Sequence, residues 1–169
     1  KEMNAIDIKR TYCGAGPYVP LTFETTVLSH DTYMYSPFMM MCIQSILAYH
    51  SDVMKGAALA DFVTDKVIES GLPEQLQSGN YTSEQLVQMT FKAIGNFNVT
   101  SFFSPELVNP FSAISASLGL GAQAENLITE DWMPKGEIKF WAASNDDVVP
   151  VECTQFADQL YGSLPNVSF

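Results

Sequence analysis

The chain has 169 residues, 47% of them hydrophobic, with 19 acidic and 8 basic side chains and a formal net charge of -11. That is one domain's worth of chain with ample material for a core, so disulfides or metals are not needed for stability. The pI near 4.3 and the scattered basic residues exclude a nucleic-acid binder, which needs clustered Lys or Arg against phosphate, and no apolar run of about 18 residues exists to span a bilayer.

The first residues, Lys1-Glu2-Met3-Asn4-Ala5, lack an apolar stretch and predict no signal peptide there. Ile6 to Cys13 reads as a strand stopped by the corner Gly14-Ala15-Gly16-Pro17, because β-favouring residues recur until glycine and proline intervene. From about Pro20 to Pro134 the period becomes helical, with no convincing strand and no internal repeat. Ser36-Pro37 marks a helix start, and Phe38, Met41, Cys42, Ser45 and Tyr49 are expected on its inner face. Leu59, Phe62, Val63 and Val67 predict a second helix, closed by Gly71 with Pro73 beyond it, in the usual glycine-then-proline order. Thr82 or Ser83 caps a third, with Leu86, Met89, Thr90, Ala93 and Ile94 inward and Gly95 as its stop. Ser104-Pro105 and Asn109-Pro110 open two more, the latter running from Phe111 to Leu118 until Gly119 and Gly121 break it.

Strand character returns at Glu137 to Ala143, an apolar run between Gly136 and the turn Ser144-Asn145-Asp146-Asp147, as expected of a buried parallel strand. Pro150 then opens a helix with Cys153, Phe156, Ala157, Leu160 and Tyr161 on one face and Gly162 as its stop. Asn166 to Phe169 begins another strand, and a chain that ends inside a strand reads as cut.

Two of these stretches carry a family resemblance. Ala143-Ser144-Asn145-Asp146-Asp147-Val148-Val149-Pro150 is similar to the G-x-x-D-x-x-V-P turn of α/β-hydrolases, with Ala143 where that family usually has glycine. Phe156-Ala157-Asp158-Gln159-Leu160 resembles the helix that follows this turn, and Tyr12-Cys13-Gly14-Ala15-Gly16-Pro17-Tyr18 resembles the corner after the nucleophile helix of esterases and lipases, ahead of a helical lid. The resemblance covers residues 6–18 and 137–169. It implies an α/β fold in which residues 1–19 and 134–169 are pieces of a parallel α/β-hydrolase core and residues 20–133 are a helical lid or cap insertion. It further implies a serine hydrolase acting on carboxylic esters, with Asp146 as the triad acid, a small-molecule ester as substrate and no cofactor. A carboxylate on a rigid strand end suits that role because a histidine base needs a partner on its second nitrogen.

The other triad members are not found in the chain. No G-x-S-x-G string occurs, and Ser115-Ala116-Ser117-Leu118-Gly119 is one position off that pattern within a helical stretch, so Ser117 reads as structural. The fold's order is Ser, Asp, His, yet His30 and His50 both precede Asp146. His50 reads as a helix C-terminal residue and His30 as a turn residue beside Asp31. The expectation is therefore the acid-bearing and lid portion of a longer enzyme, with the serine before Lys1 and the histidine after Phe169. The alternative is a non-catalytic, mainly helical interaction or ligand-binding domain. An unpaired sheet edge predicts self-association, hence a homo-oligomer.

Tyr33 and Tyr35, just ahead of a capped helix, are the candidate substrate-binding residues, whereas Met39-Met40-Met41 reads mainly as core filler. No H-E-x-x-H, P-loop or G-x-G-x-x-G occurs, so metal and nucleotide sites have no support. Cys13, Cys42 and Cys153 fit no ligand spacing and read as buried free thiols. Sequons at Asn80, Asn98 and Asn166 matter only in a glycosylating host. The low charge count and abundant Tyr, Asn, Ser and Thr favour a secreted or periplasmic bacterial origin, against which the free cysteines pull.

Overall fold

The computed structural model describes residues 9–124 and 134–169. The ends of the expected first strand and of the helical stretch, within residues 1–8 and 125–133, lie outside the described residues. The chain divides into two compact units, one formed by Lys1–Phe23 with Asn126–Phe169 and the other by Glu24–Glu125. No helix among the described residues is long and apolar enough to cross a membrane.

The first unit is built on three parallel strands, β1 (Arg10–Gly14), β2 (Glu137–Trp141) and β3 (Val167–Ser168), in the order β1-β2-β3. Parallel strands need long crossovers. Residues 15–136 connect β1 to β2, and the helix Glu152–Tyr161 lies between β2 and β3 in the chain. Arg10 pairs in register with Glu137 and Ile138 with Val167, and the Arg10 Nε donates to Glu137 Oε2 at 2.5 Å across the first pair. Beneath the sheet Phe140, Ala157, Tyr161 and Val167 form a buried cluster, closed by Tyr18 edge-on to Phe140 at 4.8 Å and Phe169 stacked on it at 4.7 Å. Gly14 ends β1 where a Cβ would lie 2.7 Å from the Trp141 ring, so the corner read from Gly14 to Pro17 has a steric cause. In β2 only Phe140 is buried and Trp141 is 60% exposed, which corrects the expectation of a wholly buried strand.

The helix Glu152–Tyr161 turns Cys153, Thr154, Ala157 and Tyr161 inward, while Phe156 and Leu160 are 40% and 42% exposed. The expected five-residue face thus narrows to one i, i+4, i+8 row. Of the three free thiols only Cys153 is buried; Cys13 and Cys42 are half-buried. Burial pushes the Cys153 thiol up to about 12, leaving it protonated and inert at neutral pH. The unfolded thiol ionises near 9, so between pH 9 and 12 the folded chain binds the extra proton and stability falls as pH rises. Thiol titration of the native protein at pH 8 should leave Cys153 unmodified until denaturant is added.

The second unit is helical. Helix α1 (Pro20–Ser29) leads into it, followed by α2 (Ser36–Tyr49), α3 (Ser51–Met54), a 3-10 turn (Leu59–Asp61), α4 (Asp65–Glu69), α5 (Leu72–Gln77), α6 (Ser83–Ile94), α7 (Val99–Phe102), α8 (Pro105–Val108) and α9 (Ala113–Ala124). Strand pairing among its described residues is limited to two isolated bridges, Thr32 with Asn98 and Val63 with Phe103. Helix α6 forms as its sequence requires: Gln85 N donates to Thr82 Oγ1, Thr82 N donates to Gln85 Oε1, and Gly95 closes the helix at φ +89°, a reciprocal capping box. Its buried residues are Leu86, Thr90 and Ile94, the centre of the expected face.

Three expectations in this unit are corrected. In α2 the buried side is Ser36, Pro37, Met39, Met40, Ile43 and Ile46, with Met41 and Tyr49 exposed. Both sides of this helix are apolar, so periodicity alone cannot choose the core side. The helix expected across Leu59 to Val67 is broken at Thr64, which is extended. Its N–H donates to Phe102 O and its hydroxyl to Ser101 O, while Ser104 N donates to Phe62 O, so backbone pairing with a distant segment takes these groups out of a helix. Helix α9 continues through Gly119 and Gly121 instead of breaking there. A Cβ on Gly121 would lie 2.3 Å from Ile46 Cγ2, and the glycine is used for close helix packing.

Candidate active-site acid

Asp146 follows the C-terminal end of β2 in the chain, the end at which open parallel α/β sheets place their ligand sites. Beyond Trp141 the chain turns, with Asp146 N donating to Ala143 O at 3.3 Å. The carboxylate then closes the next turn: Oδ1 accepts from Val148 N and Val149 N, each at 2.9 Å. Pro150 follows, buried, and its carbonyl accepts from Cys153 N at 3.0 Å. We label the helix Glu152–Tyr161 α10; its first turn therefore grows directly out of the acid turn. Asp146 is half-buried and Asp147 exposed.

This arrangement fixes the carboxylate by one oxygen. Oδ1 carries both amide contacts, and Oδ2 has no hydrogen-bond partner among the described residues. A carboxylate so held can accept one further N–H without moving. The sequence marked Asp146 but not its two anchors, the Val148 and Val149 amides, because backbone groups leave no mark in residue type.

The other candidates lie in the helical unit. Tyr33 is buried, its N–H donating to Phe97 O at 2.9 Å and its carbonyl accepting from Ser36 Oγ at 2.7 Å. Its ring meets Tyr35 at 6.3 Å, and Tyr35 meets Phe38 at 5.8 Å, giving a run of aromatic rings into α2 with Tyr35 half-buried. Ser117 Oγ donates to Ile114 O at 2.8 Å inside α9, a bond to its own helix. His50 joins α2 to α3, its N–H donating to Ile46 O. His30 and Asp31 line a concavity of about 380 Å³ with Asn98, Val99 and Thr100. Among the described residues no three His, Cys, Asp or Glu side chains converge as a metal site.

Comparison with known proteins adds to this geometry. No protein-family profile and no curated protein matches the sequence. Solved structures do. A ligand-bound form of the rice cell wall degrading esterase LipA from Xanthomonas oryzae aligns at a TM-score of 0.66 and 17% identity. Another structure of the same esterase aligns at 0.67 and 18%, and a point variant of it at 0.69 and 17%. Each alignment covers 95% of this chain and 42% of the esterase chain. The chain thus shares its fold with these structures and spans less than half of their length.

Proposed function

We propose that these residues are the acid-bearing and lid portion of a serine hydrolase that cleaves carboxylic esters. The observation that carries this reading is the Asp146 carboxylate, held through Oδ1 by two backbone amides in the turn that follows a parallel strand. Supporting it are the esterase-like fold and the match to 42% of a longer esterase chain.

In this reading Asp146 Oδ2 accepts the Nδ1–H of a histidine supplied by the complete protein outside these residues. That bond fixes the tautomer with Nε2 free to take the proton of a serine hydroxyl, likewise supplied from outside. The serine oxygen attacks the ester carbonyl, the protonated histidine hands its proton to the departing alcohol, and an acyl-enzyme forms. Water, deprotonated by the same histidine, then releases the acid. Asp146 stays ionised throughout and stabilises the imidazolium. The helical unit, inserted in the chain between β1 and β2, would serve as the lid, and the ring run of Tyr33 and Tyr35 would offer an apolar contact for substrate.

The test is intact mass spectrometry of the complete protein after treatment with a fluorophosphonate, together with hydrolysis of a p-nitrophenyl ester. One adduct on one serine and measurable ester turnover are expected. A complete protein that takes no adduct and turns over no ester overturns the proposal in favour of a non-catalytic binding role.

A further inference from the structure

Two concavities flank α6 and share Met89 and Lys92. One, of about 480 Å³, is lined by Lys66, Glu69, Ser70, Gln75, Met89, Lys92 and Ala93. The other, of about 280 Å³, is lined by Tyr81, Gln85, Gln88, Met89 and Lys92. The helical unit has three lysines against many more carboxylates, yet two of the three, Lys66 and Lys92, meet at the larger concavity. Lys66 is steadied there, its Nζ donating to Ile94 O at 2.9 Å, which leaves two ammonium hydrogens for another acceptor. The Lys92 ammonium has no hydrogen-bond or ion-pair partner among the described residues, and Glu69, in the same lining, forms an ion pair with neither lysine. The lining thus carries two cations and one carboxylate in a chain that is strongly acidic overall.

Part of the lining is apolar. Met89 and Ala93, one turn apart on α6, are half-buried, so the concavity combines a cationic rim with a short apolar surface. That pairing suits an amphiphilic anion. The Glu69 carboxylate disfavours a polyanion and selects a single negative charge.

We infer that this concavity binds a small organic carboxylate, its charge between Lys66 and Lys92 and its short alkyl part against Met89 and Ala93. The Gln75 amide, also in the lining, is available as a neutral donor. The site lies wholly within the helical unit and stands independently of the role of Asp146.

Met89 provides a local reporter. In the complete protein labelled at methionine methyls, hexanoate should shift the Met89 resonance saturably, while hexanamide, of the same shape without the charge, should shift it far less. Lys92→Gln removes a side chain with no described partner to lose and should weaken hexanoate binding about fivefold or more, with Lys66→Gln/Lys92→Gln weaker still and the methyl spectrum otherwise unchanged. Equal responses to hexanoate and hexanamide, equal competition by inorganic phosphate, or undiminished binding in Lys92→Gln would each overturn the inference.

Discussion

Asp146→Asn in the complete protein should lower kcat on a p-nitrophenyl ester by about 10³- to 10⁴-fold, with KM nearly unchanged. The size follows from what the amide does in this turn. The introduced asparagine would keep an oxygen to accept from Val148 N and Val149 N, so the turn and the first turn of α10 should survive. The group left facing a histidine is then an NH₂ donor, which selects the tautomer with Nδ1 unprotonated and Nε2 carrying the proton. That tautomer cannot take a proton from serine, and the charge that stabilised the imidazolium is gone. Fluorophosphonate labelling should slow in parallel, since it depends on the same activated serine. A structural turn residue behaves differently: its substitution would alter melting temperature and leave turnover per folded molecule intact. Turnover within about threefold of the wild type would overturn the proposal that Asp146 is the triad acid.

The parts of this architecture that the sequence announces are those set by neighbouring residues. The β1 corner is legible because Gly14 and Pro17 can do little else, α6 because Thr82 and Gln85 cap each other and Gly95 closes it, and the acid turn because Asp146, Val149 and Pro150 stand in a dense local pattern. What stayed hidden depends on partners far away in the chain. Phe62 to Thr64 follows a helical apolar spacing, but hydrogen bonds to Ser101 to Ser104 interrupt the helix and leave Thr64 extended. Phe38 and Met41 are as apolar as Met39 and Ile43, and only the neighbours packed on α2 decide which side is core. The convergence of Lys66 and Lys92, 26 residues apart, is likewise a product of how α4 meets α6. Asp146 was readable as a residue, while the amides that hold its Oδ1 were readable only as geometry.

Gly121 gives the sharpest test of that non-local packing. By local propensity Gly121→Ala should stabilise α9 by about 1 kcal/mol, since glycine is the poorest helix former after proline. The structure reverses the sign. An added Cβ would stand 2.3 Å from Ile46 Cγ2 and 3.1 Å from Met54 Sδ, and Ile46 is fully buried. Overpacking of this kind costs about 1–3 kcal/mol, occasionally more, so Gly121→Ala should lose about 1–2 kcal/mol net and Gly121→Leu about 3 or more, read from urea unfolding of the helical unit. Ile46→Ala alone should cost about 2–5 kcal/mol by leaving a cavity. In the double variant the new alanine methyl occupies part of the space that Ile46 vacates, so its cost should fall short of the sum of the single costs by about 1–2 kcal/mol. Simple additivity, or a Gly121→Ala protein more stable than the parent, would mean that α2 and α9 do not meet at Ile46 and Gly121 in solution.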